Sequence, residues 1–464
     1  MNKTTLRILP ALVAAAFSGA ATAGAFQLWE QNASGIATSY AGSAAVADNA
    51  STIYFNPAGM TQLPGLQLSV GVSGIGPGFS FNNGGSSGLL GTGGDGGNAG
   101  SWAAVPNAHF SWQVAPDWFV GLGISSPFGL RTQYDDNWVG SYQSLKSEIT
   151  TVNYNPSLAW RVNDKVSLGL GVSYQTVDAE MTNMVPSLAG PLLYKLKGDD
   201  STWGWNAGAL FTLSPAMRVG VSYRSTAKYT LEGDRTVGAA TTGATADLKL
   251  PDLFIVSVWQ QVSDRWEAMG DLSYTRWSSL DTLNVRYSGG VDSESFNYDN
   301  SWRLAWGAAY KASDAWKVKF GIAYDRTPTT DSNRTARVPD NDRIGLSFGA
   351  QWKGSQPQPD ADLRARRVEF AARHLQRQRA HPRAAVLEGL LSPALRRRLP
   401  CAGAWRTPSF PSPPGCRLSL RRRQSPARRR QARPRGRRFR QGPCRAPSRP
   451  PNTGCRGLQR SGSN

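Results

Sequence analysis

Between Leu66 and Trp352 about a dozen short segments repeat one pattern: apolar residues alternate strictly with small or polar ones, and Trp or Tyr closes the ends. Trp316, Val318, Phe320, Ile322 and Tyr324 interleave with Lys317, Lys319, Gly321 and Ala323. An extended chain sends successive side chains to opposite faces, so a strand here turns the first set to lipid and the second to an interior. The preceding segment repeats the pattern, with Trp302, Leu304, Trp306, Ala308 and Tyr310 alternating with Arg303, Ala305, Gly307 and Ala309. A soluble sandwich also alternates. Its polar face, however, is rarely so rich in Gly and Ala, and its apolar face is rarely tipped so regularly with aromatics. The predicted fold class is all-β, a transmembrane antiparallel β-barrel.

The chain ends fix the compartment. Lys3 and Arg7 precede an apolar run from Ile8 to Phe17 and the small residues Ala21-Thr22-Ala23, which predicts a signal peptide over residues 1–23. No later stretch reaches the roughly 18 uninterrupted apolar residues of a membrane helix. Export without helical spans points to the outer membrane of a Gram-negative bacterium.

Residues 355–464 differ from the rest. They hold 27 of the 52 basic residues, all Arg, but only 4 of the 32 acidic ones, so the net charge of +20 belongs to this tail; the remainder has 25 basic and 28 acidic residues. Three origins compete: an arm binding nucleic acid or anionic lipid, a disordered extension, or a shifted reading frame. A basic arm would mix Lys with Arg and interleave aromatics, whereas this tail has no Lys and no Tyr. Arg, Pro, Ala, Gly and Ser in this proportion are what GC-rich codons yield out of frame. The composition therefore favours a non-native, disordered tail and no nucleic-acid partner. All four cysteines (Cys401, Cys416, Cys444, Cys455) lie here without a CxxC pair, so no metal or cofactor is expected.

Connections in the body alternate in length. Val114–Trp118, Val162–Val166, Leu213–Met217, Val262–Trp266 and Ala312–Trp316 are five versions of one tight turn built from Pro, Asn, Asp and Ser. The connections between them are far longer, which puts short turns at the periplasm and long loops outside. Counting by this rule gives about twelve strands over residues 66–354, and the pattern stops where the next short turn is due. The intended number is then fourteen. Residues 24–65 lack alternation and are too many for a simple leader. Tyr54-Phe55-Asn56-Pro57-Ala58-Gly59 sets two aromatics beside a turn-forming Asn-Pro, which favours a packed plug over a loose periplasmic extension.

These residues resemble the FadL family of outer-membrane transporters for long-chain fatty acids and other hydrophobic compounds, over Gly24 to Trp352. Phe55-Asn56-Pro57-Ala58-Gly59 after Ala47-Asp48-Asn49-Ala50 is similar to the family's hatch motif. Ser126-Pro127-Phe128-Gly129-Leu130, Val152-Asn153-Tyr154-Asn155-Pro156-Ser157 and Thr275-Arg276-Trp277 are further matches. The resemblance implies a fourteen-stranded barrel with an N-terminal hatch, passive hatch-gated uptake and lateral exit through the wall at a kink in the third strand. It implies a hydrophobic ligand, contact with outer-membrane lipid and lipopolysaccharide, insertion by the barrel assembly machinery, and a monomer. Asn56, Pro57 and Ala58 are then hatch residues. Phe128 and Gly129 are the kink candidates, since Gly weakens a ladder and permits a bulge, although the same residues also read as the start of a loop. Phe26, Leu28 and Phe55 are candidate pocket residues that serve equally well as the plug's own core. Inward Arg303, Lys317 and Lys319 are candidates for attracting a carboxylate. Aromatic hydrocarbons of the toluene type ask for the same apolar lining as fatty acids, so that substrate remains an alternative. Two other classes compete: a general porin, which a plug disfavours, and an outer-membrane lipase using His109 and Ser111, which share a strand face but have no evident acidic partner.

Overall fold

The structure, a computed structural model, describes residues 24–85 and 93–353 and the backbone of 367–374. The predicted signal peptide and, apart from 367–374, the predicted tail lie outside the described residues.

Alternation becomes an antiparallel wall. In chain order its strands are β1 (Leu66–Ile75), β2 (Ala103–Ala115), β3 (Trp118–Ser125), β4 (Gly129–Gln133), β5 (Lys146–Arg161), β6 (Val166–Val185), β7 (Leu192–Ser214), β8 (Met217–Arg224), β9 (Ala227–Val237), β10 (Ala240–Leu250), β11 (Leu253–Gln261), β12 (Trp266–Thr275), β13 (Thr282–Tyr287), β14 (Gly290–Ser295), β15 (Ser301–Lys311), β16 (Trp316–Asp325) and β17 (Arg343–Lys353). Each of the twelve expected segments is present. The expected segment at about 217–231 is divided in two, β8 and β9, and β4 lies within the long loop expected after the third strand. No helix among the described residues is long and apolar enough to cross a membrane.

Register shows how one face is kept for lipid. Trp306 pairs with Ile322 and Ile322 with Leu346, and all three are exposed; the next row inward, Ala305, Ala323 and Gly345, is turned to the interior. Aromatic pairs mark both edges of this apolar band. Trp118 stacks on Trp160 at 5.6 Å and Trp266 meets Tyr310 at 4.8 Å beside the short turns, while Trp302–Tyr324 and Trp205–Tyr223 stand towards the long loops. Indole and phenol rings favour the membrane–water boundary, so these two belts locate it.

Sheet extends further outward than the sequence pattern predicted. Two of the long outer connections, over about residues 177–198 and 231–249, are hairpins rather than loops, with β6 paired to β7 as far as Val185↔Leu192 and β9 paired to β10 from Leu250↔Ala227 to Ala240↔Val237. These extensions stand in water rather than lipid, so they carry Thr, Lys and Asp and lack the aromatic tips that made the other strands readable. Gly238, at φ +59, closes one of the turns in a conformation that favours glycine. A second difference lies beyond Gly354. Within the expected tail, the backbone of Arg367–His374 forms β18, antiparallel to β17, with Trp352↔Val368 and Phe348↔Ala372 in register.

Residues 24–65 fill the interior with three short turns of helix: α1 (Ala33–Ala37), α2 (Thr52–Phe55) and a 3₁₀ segment (Pro57–Gln62). Asn32 caps α1 by accepting the Gly35 N–H. Strands on opposite sides of the barrel hold the plug. Arg224 donates to Tyr54 O (2.8 Å), Arg218 to Val46 O (3.0 Å) and Arg161 to Thr61 O; Lys319 pairs with Asp48 at 3.0 Å. The small residues of the inward face now have a cause. A Cβ at Gly169 would lie 2.2 Å from Ala58 N, one at Gly220 2.0 Å from Ala44 O, and one at Gly321 2.1 Å from Thr38 C, so plug backbone lies directly against the wall.

Candidate functional site

The turn at Asn56-Pro57-Ala58 is a close join between plug and wall. Asn56 is fully buried; its Nδ2 donates to Ala44 O (2.8 Å) within the plug and to Ala209 O (3.0 Å) on β7, while its Oδ1 accepts the Ala58 N–H (3.1 Å). One fully buried side chain thus satisfies two carbonyls and one amide. Proline at the first position of the 3₁₀ segment has no N–H left to satisfy.

Above this join the plug's entry strand meets a defect in the wall. Ser125 pairs with Asn153 and Gly129 with Thr150, so four steps on one strand face three on the other: one residue is extra. The inward set consequently switches from odd residues in β3 (Phe119, Gly123, Ser125) to even ones in β4 (Leu130, Thr132). On the other side, β2 pairs with β3 only as far as Ala108↔Ile124, and its residues Ala103–Asn107 have no ladder to β4. The wall parts there. The plug stands in for the missing strand: Leu28 N donates to Pro127 O (2.8 Å), Gly129 N to Phe26 O (2.9 Å), and Gln31 Nε2 to Ser126 O (2.9 Å). Thr151 steadies the far side, its Oγ1 donating to Phe128 O at 2.7 Å.

Apolar side chains converge on this gap from within. Phe26 stands edge-on to Trp277 at 4.9 Å and to Phe128 at 6.1 Å; Trp277 reaches Tyr298 at 6.1 Å, and Leu248, Leu250, Leu283 and Val285 continue the cluster towards the long loops. Burial raises the Tyr298 phenol above its ordinary pKa, so it stays neutral. Leu28 belongs to a different group, with Ile75 and Val105 at the parted edge of β1 and β2. Phe55 packs with Trp29, Tyr40 and Tyr54 deeper in the plug, where burial followed by the Glu30 carboxylate holds the Tyr40 phenol well above its usual value. Of the three candidate pocket residues, Phe26 alone joins Phe128. The sequence pattern did not select Trp277 as a pocket residue, although it stands in the Thr275-Arg276-Trp277 match.

Two cavities lie at the ends of this interior. One of about 620 Å³, within the range of small-molecule sites, opens among the outer loops and mixes Met181, Leu196 and Val285 with Arg235, Arg334 and Arg337. The other, of about 520 Å³, opens at the short turns near Asp48, Glu267 and Lys317. The three inward cations are engaged by the protein itself: Lys317 with Glu267 (2.6 Å), Lys319 with Asp48, and Arg303 with Ser39 O (2.6 Å) and the Trp29 ring. His109 and Ser111 are buried on β2. Neither the imidazole nitrogens nor Ser111 Oγ has a hydrogen-bond partner among the described residues, so no nucleophile–base pair is formed.

This barrel has relatives among known proteins. The family described as "Outer membrane protein transport protein (OMPP1/FadL/TodX)" matches residues 14–382. The chain belongs to this family. The match runs past Gly354 and takes in β18. The chain is 30% identical to the long-chain fatty acid transport protein of Escherichia coli O6:H1 (strain CFT073), over 76% of this chain and 87% of that protein. It is 31% identical to the 47 kDa outer membrane protein of Pasteurella multocida, over 76% and 90%. Among solved structures, a Pseudomonas aeruginosa FadL homologue superposes with a TM-score of 0.65 at 25% identity, covering 72% of this chain and 88% of that one. The Ralstonia pickettii toluene transporter TbuX shares the fold, with a TM-score of 0.56 at 19% identity over 69% and 89%. The protein is therefore an outer-membrane β-barrel transporter of a Gram-negative bacterium, and the lipase alternative is set aside.

Proposed function

We propose that the chain carries long-chain fatty acids or comparable apolar compounds across the outer membrane by passive uptake, with the hatch as gate and the gap between β2 and β4 as a lateral exit. The observation that carries this reading is the continuity of the Phe26–Phe128–Trp277 cluster with that gap. Each CH₂ removed from water is worth about 0.8 kcal/mol, so a chain of roughly sixteen carbons gains on the order of 12 kcal/mol in an apolar path. A water-filled pore forfeits this. A path ending in the wall delivers the acyl chain to lipid without exposing it. The outer cavity, where Arg235 and Arg337 pair with Asp292 and Glu294 beside aliphatic side chains, suits first capture of a molecule with a polar head and a greasy tail.

In a Gram-negative host lacking its own long-chain fatty acid transporter, expression of this chain is expected to restore growth on oleate. Growth on toluene without growth on oleate would assign the channel to aromatic hydrocarbons instead. Failure on both, with the barrel present in the outer membrane, would refute the proposal.

A further inference from the structure

Two lysines stand directly opposite one another on the lipid-facing side of the wall. Lys228 on β9 is the register partner of Lys249 on β10, and both are exposed. They share that face with Thr230 and Asp247, the next outward pair, whereas the intervening Tyr229 and Leu248 are buried inside. Side chains opposed in this way have β-carbons about 5 Å apart, and like charges there repel. The height of the pair is set by its neighbours on β7. Ser225 N donates to Trp205 O (2.9 Å) and Thr230 N to Asp200 Oδ2 (2.7 Å), which brings Lys228 level with Trp203, between those two points. Trp203 is exposed and meets Tyr174 at 5.0 Å, so it belongs to the outer aromatic belt. The lysines therefore lie where hydrocarbon gives way to headgroups.

Elsewhere the wall neutralises such contacts itself. Glu148 and Glu180, opposed on β5 and β6, share Lys146 at 2.7 and 3.2 Å. Lys311 and Lys317, opposed on β15 and β16, take Asp314 and Glu267. Lys228 and Lys249 have no such partner among the described residues: the adjacent Asp247 is held by Arg286 (2.9 Å) and the Thr230 hydroxyl (3.2 Å), and Lys249 reaches it only through its longer-range field. Farther out, the exposed acids Asp178, Asp199 and Glu232 face one another across β6, β7 and β9. An anion is thus attracted at the boundary level and repelled above it.

We infer that Lys228 and Lys249 clamp a phosphate of the glycolipid that forms the outer leaflet, fixing a lipopolysaccharide molecule at this place on the wall. Its acyl chains lie along the apolar band below, past the paired Tyr223 and Phe254 of β8 and β11. Its phosphate bridges two ammonium groups, as Lys146 bridges two carboxylates. The flexible lysine stems bring both charges to one anion while their methylenes stay on apolar surface. The clamp is on the outside of the barrel, so it is independent of the path through the lumen.

The full chain is purified from outer membranes in mild detergent, and retained lipopolysaccharide is measured by native mass spectrometry, alongside binding of the isolated lipid anchor with and without its phosphates. The parent is expected to keep bound glycolipid through purification and to prefer the phosphorylated anchor. A basic side chain near an anionic lipid surface counts for about fivefold in affinity, so K228Q/K249Q is expected to weaken binding by roughly thirtyfold. K228R/K249R is expected to retain it, and K195Q/K197Q, which removes the same charge farther out on β7, to leave it unchanged. Heat-modifiable migration reports folding of each variant. Equal binding by parent and K228Q/K249Q, an equal loss in K195Q/K197Q, equal affinity for the dephosphorylated anchor, or displacement of the lipid by inorganic phosphate would each overturn the inference. None of these outcomes bears on the uptake of apolar compounds.

Discussion

Gly169→Val is expected to turn a silent barrel into a conducting one. A Cβ at Gly169 would sit 2.2 Å from Ala58 N and 2.5 Å from Pro57 C, and both are backbone atoms that no rotamer change can move aside. Either β6 or the plug must yield. β6 is tied along its whole length to β5 and β7, whereas the plug is a chain of short turns held by a few side-chain hydrogen bonds. Overpacking of this kind costs about 1–3 kcal/mol even where neighbours can relax. Displacing the 3₁₀ segment also breaks the Asn56 bonds to Ala44 and Ala209, leaving buried carbonyls unpaired. The parent should show no steady current in planar bilayers, and the variant should show step conductances while keeping heat-modifiable migration. Gly243→Val is the matched control, because nothing lies within 4 Å of the added atom. A parent that already conducts would mean the plug does not close the lumen.

Deleting Pro127 is expected to abolish uptake while leaving the barrel folded. The extra residue between Ser125 and Gly129 is what switches the inward set and frees β2 from β4, so a chain one residue shorter can pair with β5 in continuous register. Two or three regained ladder bonds at about 1 kcal/mol each would lower the open population by on the order of tenfold or more. The plug's entry strand would also lose its substitute pairing at Pro127 O and Gly129 N. Labelled oleate entry should fall accordingly, with surface loops still accessible and heat-modifiability retained. Unchanged oleate entry would move the exit away from the third strand.

Much of this was legible because lipid imposes a rule that water does not. Trp302, Leu304 and Trp306 must face hydrocarbon and Arg303, Ala305 and Gly307 must not, so the wall could be read residue by residue. The extensions of β6, β7, β9 and β10 escaped notice because strands standing in water need no such contrast. The Gly and Ala of the inward face were visible as composition, but their cause, plug backbone in contact with the wall at Gly169, Gly220 and Gly321, is a matter of assembly. Phe26 and Trp277 lie 251 positions apart and meet only once the barrel closes around the plug. Leu28 and Phe55 are as apolar as Phe26, and no local pattern divides them; their clusters are set by which strand each one meets. The strand at Arg367–His374 carries no aromatic tip, and its surroundings in sequence are those of the tail.

The most direct test of the central claim, that apolar cargo leaves through the wall rather than through the plug, is photo-crosslinking with a fatty acid bearing a diazirine near its tail. The account predicts adducts at Phe26, Phe128 and Trp277, continuing to Ile75 and Val105 at the parted edge of β2. Adducts running instead through the plug to Asp48, Glu267 and Lys317 at the cavity beside the short turns would contradict it.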